Sequence, residues 1–223
     1  MRSPAASLAV LAGAAALAAA ACHGGEGPNS CFDSNAASYG FHLGGDTTLT
    51  FRWPAARMPV RVYTASTGEM PANAFAGMTA WVNGLRCGEL SLQVSYDSTQ
   101  ADIIVRKVDI LPAAAPGGIV LAADSVGACG GRTDGTFDST LTLSGPVRSY
   151  IVPILVGDST ALAGCLRMVT THELGHAIGL LAHSPHQTDL MYVFPQRSTL
   201  STDDRYTLQQ LYHTTPTIHP APR

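Results

Sequence analysis

The chain has 223 residues, 46% of them hydrophobic and 13% charged, with a net charge of −3. This length suits one or two domains and supplies enough apolar material for a real core. The weak negative charge and the lack of a Lys/Arg run argue against nucleic acid as the main partner. No basic cluster beside an amphipathic stretch indicates binding to a membrane surface either.

The first 22 residues differ from the rest of the chain. Arg2 precedes an uncharged, alanine-rich run at 5–21, which is too short and too weakly apolar for a good membrane span. Residues 1–22 are therefore predicted to be an export signal, which makes the protein secreted, periplasmic or a surface lipoprotein. Small residues before Cys22 resemble a bacterial lipoprotein cleavage site, so a lipid anchor at Cys22 and ordinary cleavage nearby both remain open.

Without Cys22 the chain keeps an even number of cysteines, which suits two disulfides in an oxidising compartment. These are Cys31, Cys87, Cys129 and Cys165. The sequence does not choose among the three possible pairings. None of the four lies in a Cys-x-x-Cys pair, so a cysteine-based zinc site is not expected.

The first half of the chain predicts a strand, a helix and two strands. Residues 23–50 are interpreted as a linker and N-terminal loop, and alternating apolar residues predict a strand at 57–64. Pro71 suits the first turn of a helix over 71–85, and β-branched residues predict strands at 90–96 and 102–108. The predicted buried stripe of the helix is Phe75, Met78, Trp81, Val82 and Leu85. This order indicates a mixed sheet with a crossover helix.

The second half is expected to add shorter elements. A short strand is predicted near 118–122, followed by an irregular loop through Gly130 and Gly131. Further strands are predicted at 136–143 and 149–156. A helix capped by Asp158 or Ser159 should then run to about Gly179, with Leu162, Leu166 and Val169 inside.

A last helix completes the predicted domain. Ser201 is its expected cap, with Asp204 three residues later in a variant of the capping box. Its predicted inner face comprises Leu208, Leu211 and Tyr212. A proline-rich tail at 214–223 is expected to be disordered.

His172 and His176 lie four residues apart on the predicted helix, and therefore on one face. Two imidazoles so placed can reach one zinc ion at about 2.0–2.1 Å each. Glu173 sits too far round the helix to be a natural third ligand, but it can reach a water near the metal. That is the geometry that a general base requires.

Gly179 decides where a third ligand can come from. On a continuous helix His183 would lie about 16 Å along the axis from His172, too far for one zinc ion. A single-metal site therefore requires the helix to end and the chain to fold back, which a glycine permits. His183 would then arrive from a loop and leave a fourth position open. His186 is the alternative third ligand.

The stretch from His172 to Ser184 resembles the metzincin metallopeptidases, and among them the matrixins. The motif H-E-x-x-H-x-x-G-x-x-H matches at His172, Glu173, His176 and Gly179. His183 falls one residue late, which we interpret as a one-residue insertion. Downstream, Asp189-Leu190-Met191-Tyr192 resembles the family's Met-turn, with Met191 as an apolar floor beneath the metal. The likeness covers about residues 51–213, which are taken as the catalytic domain.

The resemblance implies an α+β, metzincin-like fold. Its twisted, mixed five-stranded sheet and two long helices would stand above a small C-terminal subdomain, with the active-site cleft between. Substrate would lie extended in that cleft beside an edge strand, expected at 118–123. Residues expected to line the substrate pocket are Val193, Phe194 and Pro195, and Tyr192 is either an oxyanion-supporting or a packing residue.

The function predicted from these residues is a monomeric zinc endopeptidase that cleaves extended polypeptides, with Glu173 as general base. Calcium sites cannot be placed, and neither a prosegment that blocks the zinc nor the substrate is evident. The alternative is a non-catalytic zinc-binding surface lipoprotein, although a structural site has no need of Glu173. A peptidase with a distal glutamate ligand is excluded, because no Glu follows Glu173.

Overall fold

The structure is a computed structural model, and the residues that it describes are 31, 38–45, 48–114, 118–126, 129–154 and 159–222. The predicted export signal, Cys22 and Asp158 lie outside them. Among the described residues, no helix has the length and apolar character needed to cross a membrane.

A mixed sheet organises the domain. Its strands are β1 (Val60–Tyr63), β2 (Leu92–Ser95), β3 (Ile103–Lys107), β4 (Gly118–Val126), β5 (Cys129–Thr136) and β7 (Val147–Pro153). The order across the sheet is β2-β1-β3-β7-β5-β4. Neighbours from β2 to β7 are parallel, whereas β5 runs antiparallel to both β7 and β4. The α+β class and the mixed sheet are confirmed, and β2 and β4 are the two edge strands of this six-stranded sheet.

Within the described residues, three α-helices accompany the sheet: α1 (Met70–Val82), α2 (Ser159–Ala177) and α3 (Thr202–Tyr212). Helix α2 packs against β5 and β7 on one side and against α1 on another. Ser201 caps α3, and the predicted capping box with Asp204 is present. The predicted inner face of α3 is buried, as are Leu166 and Val169 on α2.

The predicted buried stripe of α1 is confirmed at Met78, Trp81 and Leu85, but it is wrong at Phe75. Phe75 is 62% exposed, whereas Ala74, Gly77, Met78 and Trp81 face inward. A Cβ at Gly77 would lie 2.8 Å from the Leu174 side chain, so the two helices approach too closely there for a larger residue. Close helix packing, rather than the widest apolar stripe, sets the orientation of α1.

The predicted loop through Gly130 and Gly131 is wrong, since both residues belong to β5 and pair with β7. The strand expected at 136–143 is reduced to the two residues of β6 (Thr142–Leu143). The glycines pair as a strand because their extended backbone is buried beside α2, a tertiary context that overrides local propensity.

Both ends of the described chain contribute residues to the core, although the sequence predicted a loop at one end and a disordered tail at the other. Within the expected N-terminal loop, Tyr39, Phe41 and Leu43 are buried in the core. In the expected disordered tail, Ile218 is 2% exposed and β8 (His219–Pro220) pairs with β6. Residues 214–222 are therefore an ordered part of the domain, held by backbone pairing that proline content did not reveal.

Two disulfides join the four expected cysteines, and the structure supplies the pairing. Cys31 bonds Cys87, and Cys129 bonds Cys165. The second disulfide links the start of β5 to α2.

Candidate metal centre

His172 and His176 face each other from successive turns of α2. Both side chains are fully buried, and their Nε2 atoms are 3.0 Å apart. Two nitrogen ligands of a tetrahedral zinc ion lie about 3.3 Å apart, from the usual zinc–nitrogen bond length. The pair is therefore close to the spacing that one zinc ion requires.

Helix α2 ends immediately after His176 in a Schellman motif. The Leu180 N–H donates to the Gly175 carbonyl at 3.0 Å, and the Gly179 N–H donates to the His176 carbonyl at 3.1 Å. Gly179 has φ +120°, and a Cβ there would lie 2.0 Å from the Phe51 carbonyl oxygen. Only glycine satisfies both the dihedral angle and the close approach. The helix stop predicted at Gly179 is confirmed.

This chain reversal brings His183 to the two helix histidines. Ligand nitrogens of His172, His176 and His183 all lie within 4.8 Å of one another. The His183 ring is centred 5.5 Å from that of His172 and 4.9 Å from that of His176. His186, the alternative ligand, is exposed and lies outside this group. The three-histidine group fits a metzincin zinc site.

Backbone carbonyls fix the tautomer of both helix histidines. His172 Nδ1 lies 2.7 Å from the Leu190 carbonyl oxygen, and His176 Nδ1 lies 2.5 Å from that of Leu180. A carbonyl can only accept, so each Nδ1 carries the proton and each Nε2 presents a lone pair to the other. Donation of the second ring nitrogen to a carbonyl is the arrangement that orients zinc-binding histidines. The donor chemistry therefore fits zinc.

Met191 packs directly beneath the metal-facing turn of α2. It is fully buried, and a Cβ at Gly175 would lie 2.5 Å from the Met191 sulfur and 2.6 Å from the Trp81 ring. Gly175 lies between the two helix histidines in sequence. Met191 therefore packs against α2 at Gly175, and its role as a Met-turn floor beneath a metal ion stays a prediction.

The loop between His183 and Met191 is closed by its own hydrogen bonds. The Ser184 N–H donates to the Met191 carbonyl at 2.8 Å. The Ser184 hydroxyl donates to the carboxylate of Asp189, which is 2% exposed. These contacts hold the residue after His183 against the residue that supports α2.

Asp204 has a second function that the sequence did not reveal. Besides capping α3, its fully buried carboxylate accepts the Leu190 N–H at 2.8 Å and the Met191 N–H at 3.2 Å. The Tyr39 hydroxyl also donates to it at 2.8 Å. Burial, and then the charge of Asp204, raise the pKa of Tyr39 well above its usual value, so the phenol stays protonated. The capping-box position of Asp204, three residues after Ser201, was the only sequence signal.

Two buried tryptophans, Trp53 and Trp81, also hold α2. The Trp81 indole N–H donates to the Thr171 carbonyl at 2.7 Å, next to His172. The Trp53 indole N–H donates to the Ala177 carbonyl at 3.0 Å, at the helix end. Trp53 thereby satisfies a carbonyl that the last turn of the helix would leave without a partner.

Glu173 points from α2 towards β5 and is fully buried. Its Oε2 accepts a hydrogen bond from the Thr133 hydroxyl at 2.5 Å. A Cβ at Gly131 would lie 2.2 Å from its Oε1, so the carboxylate lies against the bare backbone of β5. Glu173 is thus fixed by the sheet while the adjacent His172 faces the metal group.

The remaining candidate residues follow Met191 in a turn. Tyr192 and Val193 are partly exposed, Phe194 is 51% exposed and Pro195 is buried. The Tyr192 and Phe194 rings meet edge to face, with centroids 6.2 Å apart. Their predicted roles, in oxyanion support and in the substrate pocket, stay predictions.

Comparison with known families agrees with this geometry. Residues 116–213 match the family model described as Matrixin. The match covers less than half of the chain, but it contains β5, α2, the His183 loop and α3. No curated protein matches the chain. The resemblance to matrixins recognised in the sequence is therefore confirmed over residues 116–213, and it indicates a similarity to zinc metallopeptidases.

Proposed function

We propose that this protein is a zinc-dependent endopeptidase that cleaves extended polypeptides. The observation that carries the proposal is the convergence of three histidines whose two helix members have carbonyl-bound Nδ1 atoms. Three protein ligands with a fourth position open distinguish a catalytic zinc site from a structural one. A zinc ion held there would lower the pKa of a coordinated water and polarise a carbonyl.

Glu173 is the proposed general base. It follows the ligand His172 directly, and its buried carboxylate is held beside β5. In this role it takes the proton of the attacking water and passes it to the leaving amine. Substrate is proposed to lie extended along the outer edge of β4, one of the two edge strands, by adding a strand to the sheet.

The protein is proposed to act outside the cytoplasm as a monomer. The two disulfides support this location, because such bonds persist mainly in oxidising compartments.

Mass spectrometry of the N-terminal peptide from exported protein tests whether Cys22 carries a lipid anchor. A diacylglycerol mass on Cys22 supports a lipoprotein, and an unmodified new N-terminus supports ordinary cleavage.

Metal analysis combined with digestion of a peptide library tests the activity. We expect about one zinc ion per chain and cleavage within peptides, lost with a chelator and restored by added zinc. Glu173→Gln should keep its zinc and lose activity by roughly 10²–10⁴-fold, the usual contribution of a general base. A zinc-loaded wild type that cleaves nothing would favour the non-catalytic lipoprotein. Turnover retained by Glu173→Gln would assign the base elsewhere.

A further inference from the structure

The carboxylate of Glu173 is held by a hydroxyl from the sheet. Thr133 on β5 is fully buried, and its Oγ1 lies 2.5 Å from Glu173 Oε2. The same hydroxyl lies 3.2 Å from the Glu173 backbone carbonyl. Because a hydroxyl has a single proton, the shorter, charge-assisted contact is the one to which it donates.

A second hydroxyl completes the arrangement. Ser149 on β7 pairs directly with Thr133 in the strand register, and its Oγ lies 2.9 Å from Thr133 Oγ1. With Glu173 ionised, the carboxylate can only accept, so Thr133 donates to Glu173 and Ser149 donates to Thr133. The bonds thus run in one direction, from β7 through β5 to the helix. Adjacent paired strands hold both hydroxyls in place, and the β-branched Thr133 has few rotamers.

Gly131 supplies the space that this arrangement needs. It lies two residues before Thr133 and therefore on the same face of β5. A Cβ there would come within 2.2 Å of Glu173 Oε1 and 2.6 Å of its Cγ. Strand β5 therefore offers a gap at Gly131 and a donor at Thr133, both matched to one carboxylate.

We propose that Thr133 is a positioning residue for Glu173, with Ser149 orienting its hydroxyl and Gly131 leaving room for the carboxylate. This inference rests on the proposed peptidase function, in which Glu173 must meet the attacking water in one orientation. Loss of the hydroxyl leaves the carboxylate buried at the same place but free to turn, so it would affect turnover rather than substrate binding.

Steady-state kinetics of Thr133→Val, which keeps the shape and removes the hydroxyl, tests the proposal. We expect kcat to fall about 10- to 100-fold, the size of one charge-assisted hydrogen bond, while KM changes less than about twofold. Thr133→Ser, which restores the hydroxyl, should recover kcat to within about threefold of wild type. Thr136→Val is the matched control, because Thr136 lies on the same strand with its side chain on the other face.

Binding of a peptide hydroxamate to the zinc-loaded variants gives a readout that does not depend on hydrolysis. In the proposed peptidase, a hydroxamate held by the metal would present an acidic proton that the Glu173 carboxylate would accept. We expect Thr133→Val to weaken its Kd about tenfold, while Thr133→Ser, Thr136→Val and the zinc affinity of all variants stay close to wild type.

These results separate the inference from the function on which it rests. Wild type that hydrolyses peptides, with a Thr133→Val variant that keeps both kcat and hydroxamate affinity, would overturn the positioning function alone. Failure of Thr133→Ser to exceed Thr133→Val would overturn it too, because the hydroxyl would then not be the active feature. Zinc-loaded wild type that hydrolyses no peptide would overturn the proposed peptidase function. The hydroxamate affinities of wild type and the Thr133 variants would then still decide whether Thr133 positions Glu173.

Discussion

The carboxylate of Asp204 on α3 accepts the backbone N–H of Leu190 at 2.8 Å. The carbonyl oxygen of Leu190 in turn lies 2.7 Å from His172 Nδ1. The backbone at Leu190 is thus held by a buried aspartate, and the same backbone orients the candidate metal ligand His172. Stability of the fold and metal affinity are therefore expected to change together when Asp204 is altered.

Asp204→Asn should lower both quantities. Both carboxylate oxygens accept N–H groups, so an amide would turn its NH₂ towards one of these donors whichever way it is placed. We expect the free energy of unfolding to fall by about 3 kcal/mol, and zinc affinity by about tenfold. Urea denaturation and chelator competition measure the two effects. Asp203→Asn is the matched control, and an equal loss there would show that charge near α3, not the buried bonds, matters.

His183→Ala and His186→Ala should separate the two candidates for the third ligand. His183 belongs to the histidine group and His186 is exposed outside it. Mutation of a residue that hydrogen-bonds a metal ligand already weakens metal binding about 10- to 100-fold. Removal of the ligand His183 itself should therefore weaken zinc binding more than about a hundredfold. Titration with zinc against a competing chelator measures this. The opposite ranking of the two variants would make His186 the ligand.

Gly179→Ala should destabilise the fold by about 3 kcal/mol or more. The residue has φ +120°, and its Cβ would lie 2.0 Å from the Phe51 carbonyl, so strain and a backbone clash add. Gly164→Ala, inside the helix α2 that ends just before Gly179, is the control. No neighbouring atom lies within 4 Å of a Cβ there, so it should stabilise α2 by about 0.5–1 kcal/mol. Thermal unfolding of both variants tests the contrast, and similar melting temperatures would contradict it.

Tyr39 should make folding sensitive to alkaline pH. Its pKa is raised in the folded state by burial and then by Asp204, so folding favours the neutral phenol. The resulting stability is complete below about pH 10, the ordinary tyrosine value, and is lost as pH rises above it. Urea denaturation from pH 8 to 11 measures this loss. Tyr39→Phe should show a shallower decline, and an unchanged slope would remove Tyr39 as its cause.

Local sequence patterns predicted much of the candidate site. The spacing of His172 and His176 requires only a helix, and Gly179 marks the point where that helix must end. His183 followed from the distance that one zinc ion can span, and Ser201 with Asp204 follows a capping pattern. In each case the physical cause lies within a few residues of the chain.

The contacts that surround this site could not be predicted in the same way. Thr133 reaches Glu173 across 40 residues, and Tyr39 reaches Asp204 across 165. Phe75 was expected inside because it is apolar, yet the close approach of α1 and α2 at Gly77 turned it outward. Such relationships depend on strand order and helix contact, and a single sequence without those contacts does not specify them.

The bond between Cys129 and Cys165 ties the strand that carries Gly131 and Thr133 to the helix that carries Glu173. Closing a loop of 36 residues removes about 4 kcal/mol of chain entropy from the unfolded state. Newly made protein with free thiols would lack this restraint. Assembly of the strand and the helix that hold Glu173 is therefore tied to the oxidation of these two cysteines.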